Sequence, residues 1–370
     1  NRMNRKDPIA YAKASCDTMM KKFKAEELPP TGQFHYHQGV FLSGVYNVYQ
    51  LCGDIRYLEY IKGWVDSEID TDGNILYFNP NALDDIQPGI LLYPLLDHTG
   101  DQRYKKALDA LMGAIDTYPR TPLGGLWHQK MYPDQMWLDG LYMGGPICAE
   151  YGMRYQKPEY LKLVADQVMM MLEKTRDKKT GLLYHAWDYR KAEPWADKTT
   201  GCSAEFWGRS IGWVPVAILT DLDFIQQEQY GYRELSEAVA DLLKAICRYQ
   251  SKSGMWYQVV NKIGEEGNWP ETSCSCLFAA ALFKAVRKGF LPERYLEQAV
   301  AGMNAVFDTA VQWNDEELLV ENICIGTGVG DYTHYCNRPR STNDLHGVGA
   351  FLLMCAEAQR AAEQGFKISF

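Results

Sequence analysis

The sequence lacks the segments that would place the protein in a membrane or on nucleic acid. It has no run of about 20 apolar residues, which is the length that crosses a bilayer. It has no block rich in Lys and Arg, and its formal net charge is −9, whereas binding to a phosphate backbone needs local positive charge. We therefore expect neither a membrane nor a nucleic-acid partner. An acidic substrate would have to meet individual cations in its binding site.

Several catalytic and metal-binding signatures are also missing. There is no G-x-S-x-G and no P-loop, and the glycine-rich stretch 326–330 lacks the strand-to-helix context of a phosphate loop. None of the ten cysteines forms a C-x-x-C pair, and most lie in apolar helical context. This pattern favours reduced core cysteines in a cytoplasmic protein, with no metal and no cofactor. No signal peptide is visible, although a leader removed before Asn1 would leave the same sequence.

What the sequence does contain is twelve segments of helical periodicity that alternate in character. Six are amphipathic with one charged face: 7–24, 55–68, 101–117, 157–176, 232–250 and 291–311. Six are apolar nearly all round, which is typical of buried helices: 38–52, 85–97, 138–154, 206–226, 271–288 and 344–362. Repeated helical hairpins with glycines on the buried members favour an all-α (α/α)6 barrel over an open solenoid. We expect one domain covering residues 1–370.

The connections and the starts of the apolar helices carry the polar residues. The connections 125–128, 181–185 and 254–258 are apolar and aromatic, are predicted to be extended, and end on His128, His185 and Gln258. In a barrel the six inner helices begin at the same end. Polar and aromatic side chains at those six starts would therefore surround one cavity.

Each of these residues also has a purely structural interpretation. Asp84, Asp139 and Asp344 could be N-caps, because Asp is a favoured cap. Arg209 could belong to a buried ion pair, and the histidines and tryptophans could simply be core residues. Asp139 is the least ordinary case, because QMWLDGLYMGGP (135–146) surrounds it with apolar residues and a buried charge is costly.

Together with FHYHQGVF (34–41), LDDIQPG (83–89), LWHQ (126–129), FWGRSIGW (206–213) and NDLHGVGAF (343–351), this stretch resembles the unsaturated rhamnogalacturonyl hydrolases. These enzymes form glycoside hydrolase family 105 and are related to the unsaturated glucuronyl hydrolases. The resemblance implies an (α/α)6 barrel that acts, without a cofactor, on acidic unsaturated oligosaccharides made by lyases. Such enzymes release a 4,5-unsaturated uronic acid, which the resemblance makes galacturonic, although the double bond removes the C4 stereocentre that separates a galacturonyl from a glucuronyl origin. Rhamnose is the commonest neighbouring sugar. An Asp protonates C4 of the vinyl ether, water adds at C5, and the resulting hemiketal opens. We expect a monomer.

The resemblance also implies roles for individual residues. Asp139 would be the general acid and base, and its apolar surroundings predict a raised pKa. Asp84 would contact the sugar hydroxyls, although the neighbouring Asp85 leaves this assignment open. Arg209 would bind the substrate carboxylate, because guanidinium and carboxylate pair bidentately. The other predicted substrate contacts are His128, Lys130, Trp137, His185, Trp207, Trp213, Tyr36, His37 and His346.

Other functions stay open on the sequence alone. Asp139 and Asp84 could serve an ordinary inverting glycosidase, which uses two carboxylates. His128, His185 and His346 could serve a sugar epimerase on a similar barrel. A sugar-binding protein without catalytic activity, or a helical scaffold for protein partners, would use the same helices. The resemblance favours the hydration of an unsaturated uronate.

Overall fold

The computed structural model describes residues 6–369, so residues 1–5 and 370 of the predicted domain lie outside the described residues. The helices, in chain order, are α1 (Pro8–Lys22), α2 (Tyr36–Cys52), α3 (Ile55–Glu68), α4 (Leu92–Thr99), α5 (Gln102–Asp116), α6 (Leu138–Met143), α7 (Gly145–Arg154), α8 (Pro158–Thr175), α9 (Gly208–Asp221), α10 (Tyr232–Cys247), α11 (Thr272–Arg287), α12 (Leu296–Thr309), α13 (Tyr332–Cys336) and α14 (Leu345–Glu363). Short 3-10 helices cover Ala25–Glu27, Leu83–Asp85, Gln87–Leu91 and Glu293–Tyr295.

The apolar helices form a closed inner ring. Helix α14 packs against α2 and α11, α11 packs against α9, and α9 packs against α6. The 3-10 helices Leu83–Asp85 and Gln87–Leu91 complete the ring between α6 and α2. The amphipathic helices α1, α3, α5, α8, α10 and α12 lie outside and bury one face each. This arrangement confirms the predicted (α/α)6 barrel.

Two inner segments are broken where a single helix was predicted. Segment 85–97 begins as the 3-10 helix Gln87–Leu91 and becomes α-helical only at Leu92, because Pro88 has no amide proton to donate. Segment 138–154 is divided between α6 and α7 at Gly144, and Pro146 sits in the first turn of α7, where proline is tolerated. Both breaks lie beside the residues that line the candidate site.

Six short strands connect the helical hairpins. They are β1 (Gln135–Trp137), β2 (Ala186–Asp188), β3 (Val311–Trp313), β4 (Leu318–Val320), β5 (Ile323–Cys324) and β6 (Arg340–Ser341). Strands β1 and β2 pair antiparallel, with Trp137 opposite Ala186. The predicted extended connections also form single antiparallel bridges, such as Arg120 with Leu126 and Arg176 with Leu183. The β1–β2 pair matters for the site because it brings the start of α6 next to residue 185.

The helices of residues 6–369 include none that is long and apolar enough to cross a membrane. The ten cysteines are all free, and seven of them are buried. The buried positions of these seven agree with the interpretation that they are core residues.

Candidate active site

A cavity of about 240 Å³ lies where the inner helices begin. Eight of the predicted site residues line it: Tyr36, Asp84, His128, Trp137, Asp139, Trp207, Arg209 and Trp213. They come from the starts of α2, α6 and α9, from the 3-10 helix Leu83–Asp85, and from two connections. Four of the six predicted inner-helix starts therefore share this cavity, whereas no residue at the starts of α11 and α14 lines it among the described residues.

Asp139 lies at the end of a chain of hydrogen bonds. Because β1 pairs with β2, the backbone N–H of Leu138 donates to the carbonyl of His185 (3.0 Å). The Tyr335 hydroxyl accepts from the Gly330 N–H (3.2 Å) and lies 2.7 Å from Nδ1 of His185. Because a carboxylate can only accept, Nε2 of His185 carries the proton that it donates to Oδ1 of Asp139, 3.1 Å away. In the neutral ring, Nδ1 then accepts the hydroxyl proton of Tyr335.

These hydrogen bonds change the expected ionisation of Asp139. Burial favours the neutral acid, but the electrostatic attraction and the hydrogen bond of His185 outweigh it. The pKa of Asp139 is therefore lowered. The prediction of a raised pKa was wrong, because it considered only the apolar neighbours in sequence and not a histidine that comes 46 residues later.

Of the two carboxyls that line the cavity, Asp84 is the one whose pKa is raised. Burial is the main cause, and the negative charges of Asp139 and Asp85 add to it. Asp84 lies 3.5 Å from Nε2 of His128. The carboxylate of Asp85 instead accepts from the backbone N–H groups of Asn81 and Ala82 (3.1 and 3.2 Å). The structure thus places Asp84 in the cavity and gives Asp85 a local structural role.

The pKa values of the two cavity carboxyls are therefore shifted in opposite directions, that of Asp84 upward and that of Asp139 downward. His128 is neutral near pH 7, because burial lowers its pKa to about 4. Its ring stacks on Trp137 with the ring centroids 4.4 Å apart, and Tyr132 stacks on Trp137 at 5.2 Å. The aromatic wall shields both carboxyls from bulk water.

Arg209 supplies the positive charge of the cavity. Its guanidinium donates to the carbonyls of Cys324 and Ile325, both at 2.7 Å, and to Oγ of Ser273 at 3.2 Å. Its Cζ lies 4.6 Å from the ring of Trp207. Within residues 6–369, no carboxylate oxygen lies within 4.0 Å of this guanidinium. The structural interpretation of Arg209 as half of a buried ion pair is therefore wrong, and the cation can accept an incoming anion.

Comparisons with known proteins show the family of this chain. The family model described as Glycosyl Hydrolase Family 88 matches residues 11–362. The chain belongs to this family. Protein Atu3128 of Agrobacterium fabrum is 30% identical over 230 residues, which cover 58% of this chain and 98% of that protein. The unsaturated rhamnogalacturonyl hydrolase YesR of Bacillus subtilis is 27% identical over 297 residues and 79% of each chain.

A solved structure of a family 105 glycoside hydrolase from C. acetobutylicum superimposes with a TM-score of 0.90 at 31% identity, over 95% of this chain and 99% of that one. The resemblance to families 105 and 88 is thereby confirmed, and the family acts on unsaturated oligosaccharides.

Four predicted contact residues of this family 88 hydrolase do not line the cavity. His185 is fully buried behind Asp139. Lys130 is exposed, with Nζ 5.8 Å from the ring of Tyr118. His37 and His346 lie beside the cavity around Asp344, 3.9 and 3.1 Å from its Oδ1. Burial and the neighbouring His346 lower the pKa of His37 to about 3.

Sequence reasoning missed several residues that this family 88 hydrolase brings to its site. Tyr335, which orients His185, lies on the five-residue helix α13, and so short a helix shows no periodicity. Gly326, Thr327 and Gly328 line the cavity. In the sequence, their glycine-rich stretch suggests only a phosphate loop. Gln258 ends a predicted connection, but the sequence does not predict that its side chain accepts the indole N–H of Trp207, at 3.0 Å.

Proposed function

We propose that the protein removes a 4,5-unsaturated galacturonic acid from the non-reducing end of oligosaccharides made by lyases, with rhamnose as the neighbouring sugar. The observation that carries the proposal is one cavity that holds a carboxyl whose pKa is raised, a carboxyl whose pKa is lowered, and a guanidinium without an ion-pair partner. The likeness to YesR supports rhamnose as the neighbouring sugar.

Hydration of the vinyl ether needs one group that gives a proton to C4 and one that takes a proton from the water attacking C5. General acid–base catalysis of this kind requires each group in the right ionisation state. The resemblance assigns both transfers to Asp139. The directions of the pKa shifts favour a division: Asp84 donates the proton and Asp139 accepts one from water. The hemiketal that forms at C5 then opens and releases the neighbouring sugar.

The remaining contacts follow from charge and shape. The substrate carboxylate pairs with Arg209, the only strong cation on the cavity wall among the described residues. Sugar faces stack on the aromatic side chains Trp137, Trp207, Trp213 and Tyr36, which also line the wall. His185 acts as a positioning residue because it contacts Asp139 rather than the cavity. We do not assign Lys130 a substrate contact.

The geometry does not favour an epimerase. That chemistry needs two histidines facing the sugar, and of the three candidates only His128 lines the cavity. Burial keeps His128 neutral, and His185 and His346 are fully buried outside the cavity wall.

The direct test uses the ultraviolet absorbance of the conjugated enol-ether acid. The protein is mixed with lyase digests of rhamnogalacturonan and of other polyuronates. Absorbance should fall with the rhamnogalacturonan digest, and the responding digest identifies the neighbouring sugar. Release of sugar from a saturated oligosaccharide, with no change of absorbance on the unsaturated digest, would instead indicate an ordinary inverting glycosidase.

The division of roles is tested with Asp84→Asn. Because Asp84 must be protonated, wild-type kcat/KM should fall as the pH rises through its raised pKa. On the acid side, kcat/KM should stay constant until the pH is low enough to protonate Asp139. The variant should lose most of its activity at all pH values, by about 10²-fold or more. A variant with near-normal activity and an unchanged alkaline limb would return both proton transfers to Asp139.

A further inference from the structure

Three side chains form a compact cluster beside the cavity. Oδ1 of Asp344 lies 3.1 Å from Nδ1 of His346 and 3.9 Å from Nε2 of His37. The three atoms all lie within 4.8 Å of one another. The proposed hydrolysis uses none of these three side chains.

Hydrogen bonds fix which nitrogen of His346 carries the proton. Its Nε2 lies 2.9 Å from the carbonyl oxygen of Cys324, which can only accept. Nε2 therefore carries the proton. In the neutral ring, Nδ1 has a bare lone pair, and it makes no hydrogen bond within residues 6–369 although it is buried. That lone pair faces the carboxylate of Asp344, which repels it.

The same reasoning applies to His37. Nδ1 of His35 accepts the backbone N–H of His37 at 3.3 Å, so this nitrogen of His35 has no proton. The ring Nδ1 of His37 lies 3.0 Å from it and must therefore donate. In the neutral ring this leaves Nε2 of His37 with a bare lone pair, and this atom is directed towards Asp344.

When both rings are neutral, three lone pairs thus converge with no proton between them, which is an arrangement that a cation relieves. We propose that Nε2 of His37, Nδ1 of His346 and Oδ1 of Asp344 bind one divalent transition-metal ion of the zinc type. Two imidazoles and one carboxylate suit zinc and its first-row neighbours, whereas magnesium and calcium prefer oxygen ligands alone.

The distances and the surroundings fit such a site. Ligands about 2.0–2.1 Å from a tetrahedral zinc ion lie about 3.3 Å from one another, so His346 and Asp344 are already placed. Nε2 of His37 must approach Oδ1 of Asp344 by about 0.6 Å and Nδ1 of His346 by at most about 1.5 Å. Each histidine donates its other ring proton to an acceptor, and Oδ2 of Asp344 accepts from Ser341 at 3.3 Å. Partners of this kind orient the ligands of natural metal sites.

The site would also join α2 to α14, the first and last helices of the inner ring. His37 lies in the first turn of α2, and Asp344 and His346 flank the start of α14. The side chains of His37 and Asp344 are 24% and 18% exposed, which leaves an open side for the ion to enter and for water to complete its coordination.

The test measures zinc binding directly. The full chain is stripped with chelator, and zinc chloride is titrated in by equilibrium dialysis with elemental analysis. One ion per chain is expected in the wild type. Asp344→Asn should weaken binding by at least about 100-fold, since loss of an outer partner alone costs about 10–100-fold. The variant keeps a residue suited to the N-cap position of α14, and His37→Ala is a second ligand variant.

Matched controls separate this site from the others. His98→Ala and Asp139→Asn should bind zinc as the wild type does, because neither residue belongs to the cluster. Zinc should raise the Tm of the wild type and of Asp139→Asn but not that of Asp344→Asn. Cobalt in place of zinc should give a visible spectrum without the thiolate charge-transfer band that cysteine ligands produce.

Two results would overturn the proposal. If the wild type binds no zinc, His346 is instead a protonated ion-pair partner of Asp344. If Asp344→Asn and His37→Ala both retain wild-type affinity, the ion binds elsewhere. Neither result affects the proposed hydrolysis, which is measured by absorbance.

Discussion

The two ends of the inner ring differ in how their charges are satisfied. A cavity of about 680 Å³ lies at the carboxyl ends of the inner helices, and it is larger than the 240 Å³ cavity at their amino ends. Its charges are paired: Lys284 contacts Asp223 at 2.6 Å, and Arg287 contacts Glu357 at 3.0 Å. At the amino ends, Arg209 has no such partner. A buried cation without an ion-pair partner, rather than volume, therefore distinguishes the candidate active site.

The direction of the helices explains this difference. The amino end of a helix carries partial positive charge and the carboxyl end partial negative charge. Cations in the last turns of α7, α11 and α14 offset the negative ends: Arg154, Lys284, Arg287 and Arg360. The amino ends already favour an anion, so an acidic sugar suits that end of the ring in a protein whose net charge is −9.

The largest expected effect compares one carboxylate from each end. Asp139→Asn should lower kcat by about 10³-fold, because general acid–base groups contribute about 10²–10⁴-fold and an amide cannot accept the proton. Asp223→Asn at the opposite end should leave kcat unchanged. Both are measured by loss of absorbance from the unsaturated rhamnogalacturonan disaccharide. Equal losses in the two variants would remove the distinction between the ends.

The next effect compares one arginine from each end. Arg209→Lys should raise KM by roughly 10-fold, because a hydrogen bond to a charged group contributes about 1.5–3 kcal/mol and lysine lacks the planar fork. Arg287→Lys should leave KM unchanged. With the methyl ester of the substrate, Arg209→Lys and the wild type should have similar KM values. If Arg209→Lys also raises KM for the methyl ester, the result would argue against a contact between Arg209 and the carboxylate.

A smaller effect is expected at the hydrogen-bond chain behind Asp139. Tyr335→Phe removes the hydroxyl that orients His185, so kcat should fall about 5-fold, corresponding to roughly 1 kcal/mol for one hydrogen bond. KM should stay the same, because Tyr335 does not line the cavity. Tyr332→Phe, on the same short helix but bonded to the Glu266 carbonyl, is the control. A change in KM with unchanged kcat would contradict the positioning role.

The smallest effect belongs to Asp221, near the carboxyl-end cavity, and it concerns stability. Its two oxygens have no hydrogen-bond partner among residues 6–369, and burial raises its pKa. A carboxyl with a raised pKa in the folded state destabilises the fold progressively as the pH rises from the unfolded value of about 3.9 towards the folded value. Asp221→Asn should therefore increase stability by about 1 kcal/mol at mildly alkaline pH.

Thermal unfolding across pH checks this expectation, and kcat should not change. The advantage of Asp221→Asn should shrink as the pH falls and the wild-type carboxyl becomes protonated. A variant that is less stable than the wild type at alkaline pH would show that the buried carboxylate has a role in the fold.

Much of the fold could be predicted because each helix of an (α/α)6 barrel has a hydrophobic periodicity that is visible in its own segment of sequence. Alternating amphipathic and apolar segments gave all twelve main helices, and each apolar start carried a polar residue. The periodicity of apolar residues did not predict the breaks at Gln87–Leu91 and Gly144, because it does not show where proline and close packing interrupt a helix. The one-domain prediction for residues 1–370, the monomeric state and the cytoplasmic location stay predictions.

The site was harder to predict wherever its chemistry depends on distant residues. The ionisation of Asp139 depends on His185 and Tyr335, which lie in other parts of the sequence. Asp344 occupies the N-cap position of α14 but makes no capping hydrogen bond; it faces His346 and His37 instead. The metal-type spacings were absent from the sequence because the cluster of His37, Asp344 and His346 spans most of the chain.

The contact between α14 and α2 has a consequence for how the chain is made. During synthesis, α14 emerges after α2 and α11, so the ring stays open until α14 leaves the ribosome. Until then the apolar flanks of α2 and α11 lie bare, and exposed apolar surface of this kind promotes aggregation. A chain that stops before Leu345 would lack the element that joins those flanks, so the last inner helix acts as the checkpoint for productive folding.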